Sequence, residues 1–173
     1  MMLKAQTRFA LGAIIFILIL ALIPVHTLEV KEATGGKILL SARVKPGDTF
    51  SLKYIHSVER IPVTGYFAVD GQYWIVVEET AFSSYGAGLP ILKKTDDYII
   101  TGKEFRQRNI NMRMKDFTFF VHSFTEPILN FKGIQVLLSK RVREGGLIRV
   151  QITKTSLLKY ILISLPINKN PEP

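Results

Sequence analysis

The sequence predicts an all-β fold, an antiparallel β-sandwich of the Ig-like kind, preceded by one N-terminal transmembrane helix. Three observations predict it. Beyond residue 26 apolar residues recur with a period of two, turn residues punctuate the chain at short intervals, and one unbroken apolar run stands ahead of every strand.

That run, "FALGAIIFILILALIPV" at 9–25, is seventeen residues without a charge. As a helix rising 1.5 Å per residue it spans about 26 Å, near the lower limit for crossing a bilayer. Lys4 and Arg8 precede it, and its exit, Leu22-Ile23-Pro24-Val25-His26, lacks a small-x-small cleavage pattern. An uncleaved signal anchor is therefore expected rather than a cleaved signal peptide. The positive-inside rule leaves the N-terminus cytoplasmic and the rest outside: a single-pass cell-membrane protein with an anchor at 1–26, an extracytoplasmic domain at 27–168 and a flexible tail at 169–173.

Past the anchor, "LEVKEA" precedes the Gly35-Gly36 turn, and "KILLSARV" at 37–44 puts Ile38, Leu40, Ala42 and Val44 on one face. "TFSLKYIH" at 49–56 does the same with Phe50, Leu52, Tyr54 and His56, and Lys45-Pro46-Gly47-Asp48 predicts a hairpin between these two strands. Asp70-Gly71 predicts a second hairpin joining "VTGYFAV" to "QYWIVVEET", and Glu144-Gly145-Gly146 a third, between "IQVLLSKRV" and "LIRVQITK". "DYIITG", "FTFFVHSF" and the final "SLLKYILISL" read as further strands. Only Thr101–Asp116 permits a helix, without a clean 3.6-residue stripe.

With 173 residues the chain is long enough for one domain with a core. It has no cysteine, which excludes disulfides, cysteine nucleophiles and cysteine metal sites. The 23 Lys and Arg against 14 Asp and Glu give a net charge of +9. Such a domain beside a membrane is drawn to anionic surfaces; without a nucleic-acid motif, nucleic acid is not an expected partner. The basic residues concentrated at 132–159, against the single Glu144, read first as a solvated sheet face and second as a lipid patch.

Two polar runs interrupt the strands. In "YIHSVERIPV" at 54–63, His56 shares the parity of the aromatic face, so its ring must be satisfied by a neighbour such as Glu59 or by a backbone carbonyl. A hydrolase reading makes His56 and Glu59 an acid/base pair with Ser57 as nucleophile, but adjacent strand residues point to opposite faces. His26 and His122 stand alone, no metal spacing is present, and no metal or cofactor is expected. In "TAFSSYGAGLP" at 80–90 no helix start follows the glycines and no Gly-x-Ser-x-Gly elbow surrounds Ser83 or Ser84, so it reads as a wide connection rather than an anion site.

Together, "YIHSVERIPV" and "FSSYGAGLP" about twenty residues later resemble the hallmark pair of a family of small exported proteins of unknown function associated with TAXI-type tripartite ATP-independent periplasmic (TRAP) transporters, importers of organic acids. The resemblance covers residues 37–92 and carries over Tyr54, His56, Ser57, Glu59 and Pro62, then Phe82, Tyr85, Gly86, Gly88, Leu89 and Pro90. Ile61, Ser83 and Ser84 depart mildly from it. It implies a membrane setting and, as partners, transporter membrane subunits or the solute-binding receptor, with an anionic small solute. The expectation is a non-enzymatic accessory or binding module whose two runs, with Arg60, meet at one end of the sandwich; the alternative is the small extracytoplasmic hydrolase.

Overall fold

A computed structural model describes residues 2–83, 98–101 and 104–164. Helix α1 (Met2–Leu22) leads into β1 (Pro24–Glu32), β2 (Ile38–Arg43), β3 (Thr49–Ile55), β4 (Pro62–Val69) and β5 (Ile75–Phe82). Then follow β6 (Tyr98–Thr101), β7 (Glu104–Gln107), β8 (Met112–Met114), β9 (Asp116–Val121), β10 (Ile128–Phe131), β11 (Ile134–Leu137), β12 (Gly146–Ser156) and α2 (Leu157–Ser164).

The strands form two antiparallel sheets, as the period of two predicts. The first has the order β2-β1-β12-β9, and the second runs β11-β10-β3-β4-β5-β7-β6 with β8 also on β5. Alternate residues of the central pair, Leu28 and Val30 on β1 and Ile148 and Val150 on β12, are fully buried against Phe50, Phe67 and Leu129 of the other sheet. Stacked rings carry the contact across. Phe50 lies 4.8 Å from Phe67, and Phe67 lies 5.0 Å from Phe117 of β9.

Two predicted hairpins are instead crossings between sheets. The turn at Lys45–Asp48 forms, with Lys45 N–H donating to Asp48 Oδ2 at 2.9 Å, but β2 pairs with β1 while β3 pairs with β4 and β10. Likewise β11 pairs with β10 through Lys132-Gly133, and the chain then crosses to β12 in the first sheet. Alternation fixes which face of a strand is buried but is silent on its neighbour. The β4–β5 hairpin stands, although its loop is five residues, 70–74, held by Asp70 Oδ1, which accepts N–H groups of Gln72 and Trp74 at 2.8 Å each.

Two further expectations are corrected. The helix-permissive stretch carries strands β7 and β8, because Asn109 and Asn111 take left-handed backbone angles (φ 55° and 50°) that a helix cannot hold. The expected C-terminal strand is helix α2: β12 exhausts its partner where Ser156 meets Pro24, and Ser156 Oγ then accepts the Lys159 N–H at 3.2 Å as a helix cap. Helix α2 packs on α1, and Leu157 N–H bonds Ile23 O at 2.8 Å.

The first strand starts at Pro24, inside the stretch expected to belong to the anchor, so α1 keeps fourteen uncharged residues, Phe9–Leu22, about 21 Å of helix. Among the described residues no helix is long and apolar enough to cross a membrane.

Candidate functional site

Strand β3 buries Phe50 and Leu52 and half-buries Tyr54, then stops at Ile55. A reverse turn at 56–60 follows. His56 N–H donates to Ile61 O at 2.8 Å, Arg60 N–H donates back to His56 O at 2.9 Å, and Arg60 takes a left-handed φ of 57°. The strand break that would let His56 and Ser57 approach one another is thus present. His56 Nδ1 accepts the backbone N–H of Glu59 at 3.2 Å, so the neutral ring carries its proton on Nε2. Val58, at the tip, is 68% exposed.

Beside this turn, β9 runs into His122 and a 3₁₀ turn, Ser123–Thr125. Glu144 fastens it, accepting the Ser123 N–H at 2.9 Å and meeting His122 Nδ1 at 3.0 Å. The Ser123 amide, then His122, hold the Glu144 carboxyl below its ordinary range. Phe124 stacks on His122 at 5.3 Å, and the Arg60 guanidinium lies 4.7 Å over Phe124, so one ring joins the two turns.

Between strands β3–β5 and β9 lies a cavity of about 660 Å³. Leu52, Phe67, Val77, Met114, Phe117 and Phe119 form its apolar walls; His56, Ser57, His122 and Phe124 line it where the chain reaches solvent. Gly65 also lines it, and a Cβ there would come within 3.0 Å of the Phe67 ring, so the glycine gives that ring its place. Burial pushes the Tyr54 phenol up, keeping it neutral on the same wall.

Of the predicted site residues, the structure brings Tyr54, His56 and Ser57 to this cavity, with Glu59 and Arg60 on the turn at its edge. Pro62 is exposed at the start of β4, beside Lys53 and Thr64. Phe82 is 1% exposed, buried with Val63 against Tyr54 and Phe105 as a packing residue. Val63 pairs with Phe82, so the second run starts beside the first. Tyr85, Gly86, Gly88, Leu89 and Pro90 lie outside the described residues.

His122, solitary in the sequence, lines the same cavity as His56. Among the described residues no three His, Asp or Glu stand together as a metal site.

The profile of a family described as a domain of unknown function, DUF1850, matches residues 50–138. The chain belongs to the DUF1850 family. The matched span holds every described residue that lines the cavity, from Leu52 to Pro127, while β1, β2 and β12 lie outside it. No curated protein and no solved structure matches the chain.

Sequence reasoning missed the aromatic wall of β9. Phe117 and Phe119 alternate in "DFTFFV", which was legible as an inward face, but nothing local places that face opposite β3–β5.

Proposed function

We propose that the chain is a membrane-held extracytoplasmic accessory module that binds rather than catalyses, working beside a TRAP-type transporter of organic acids. The observation that carries the binding reading is the aromatic-walled cavity with its polar groups gathered at one end, the form that small-molecule sites take. The membrane reading rests on the sequence of α1 and its flanking Lys4 and Arg8, together with its surface: Phe9 and Leu22 are each 81% exposed, and Leu162 of α2 beside it is 54% exposed. The transporter rests on the resemblance of the two polar runs.

The hydrolase reading is weaker. In a catalytic pair the orienting carboxylate accepts a proton from Nδ1, whereas His56 Nδ1 is itself an acceptor from a backbone amide, a turn-closing role. Ser57 is exposed on the same turn.

The test is a detergent-solubilised pull-down of the tagged full-length chain from its native membranes, beside a Val58→Asp/Arg60→Glu variant verified as folded. Transporter subunits retained by the parent and lost by the variant support the proposal. Their absence from both removes the transporter partner.

A further inference from the structure

We propose that the cavity between β3–β5 and β9 binds a free single-chain carboxylic acid with an apolar tail, of the fatty-acid class, its tail between the sheets and its carboxylate at the 56–60 turn. This deepens the binding reading above and rests on it.

Walls decide the tail. Leu52, Val77 and Met114 with the rings of Phe67, Phe117 and Phe119 offer water few partners, and about 660 Å³ is room for roughly twenty water-sized groups. The cavity follows β4 from Val63 to Phe67, about 13 Å of strand, between sheets spaced about 10 Å apart. A flexible chain of about twelve carbons reaches along that length and fills about half of the volume.

Donors at the mouth decide the head. His56 has committed Nδ1 to the Glu59 amide and presents Nε2–H; Ser57 adds a hydroxyl. Arg60 lays its guanidinium over Phe124, a mouth residue, and adds a permanent cation to that edge. On the facing turn Glu144 is engaged by Ser123 and His122, and the other acids of the two turns are Glu126 and Glu59. The mouth therefore presents N–H and O–H donors suited to a carboxylate.

The fold decides the source. Strand β12 is eleven residues long, about 36 Å. Its Gly146 end pairs with Val121, next to the mouth; its Ser156 end pairs with Pro24, where α1 and α2 lie. The mouth thus opens at the end remote from the apolar helices, toward molecules free in the aqueous phase rather than lipid in a bilayer.

A dodecanoic acid carrying a terminal diazirine, photolysed with the full-length chain in nanodiscs and mapped by peptide mass spectrometry, tests this. Adducts are expected on peptides containing Met114, Phe117 and Phe119. Unlabelled dodecanoate should compete at about tenfold lower concentration than dodecanol. Arg60→Gln should remove that preference for the acid, and Met114→Trp, which fills the slot, should abolish cavity adducts while α1 adducts persist. Both variants are compared only after their melting and circular dichroism match the parent. Adducts confined to α1 and α2, competition equal for acid and alcohol, or labelling unchanged by Met114→Trp would each overturn the proposal. Displacement of the label by phosphatidylglycerol in the disc, but not by free dodecanoate, would overturn the assignment to a free acid. The pull-down reads a protein partner and this experiment a small ligand, so either reading can fail alone.

Discussion

His26 shows how a single residue on β1 links the chain's charge to its stability. Its ring stacks on Tyr73 of the loop between β4 and β5 at 3.5 Å, and burial, then the nearby Lys154, hold its imidazole below the ordinary value. The fold thus favours the neutral ring. Above about pH 6.5 the ring is neutral in both folded and unfolded chains and contributes no slope. As pH falls below that, the unfolded chain takes up a proton that the folded chain accepts only at lower pH, and stability declines. A His26→Phe variant keeps a stacking ring and should lose that part of the decline. Urea midpoints of parent and variant at pH 7.5 and 5.5 check this, and equal drops in both would refute it.

Elements are decided by turns as much as by strands. Phe131 pairs with Ile134, so β10 and β11 are joined by only Lys132 and Gly133, with φ of 48° and 79°. Both residues are left-handed, which matches the twist of the flanking strands. Gly133→Ala meets no atom within 4 Å but must hold a backbone that side chains resist, and should cost about 1 kcal/mol. The midpoint of urea unfolding should fall at unchanged slope. No fall would mean that the turn relaxes to another type. The same element scale explains the mistaken hairpins: Lys45–Asp48 has turn chemistry in full, yet Gly47 N–H bonds Val69 O at 2.8 Å, across to the end of β4 rather than back to β2. Turn residues announce that a chain reverses; which strand it then meets depends on contacts far away in sequence.

At the scale of the whole molecule, the apolar helices lie at one end of β12 and the cavity mouth toward the other. If α1 holds the chain to a membrane, as proposed, full-length protein should stay with the pelleted membranes through an alkaline carbonate wash. A chain lacking residues 1–22 should then appear in the soluble fraction with its β-rich circular dichroism retained. Release of the full-length chain by carbonate would show that α1 only lies against the surface.

The sequence by itself determined the sandwich, because a period of two needs no partner to be read: Leu40, Ala42 and Val44, or Phe50 and Leu52, are buried wherever their strands pair. It also determined that His56 would need a local partner, though for Nδ1 that partner is the backbone N–H of Glu59 and not a backbone carbonyl. Only the tertiary structure decided that β12 joins β1 and β9, that residues 157–164 coil into a helix on α1, and that Phe117, Phe119 and His122 face Leu52, Tyr54 and His56. The reason is physical. Burial of a face is a property of one strand, whereas a cavity is shared by strands more than sixty residues apart, and its walls exist only once both sheets have chosen their order.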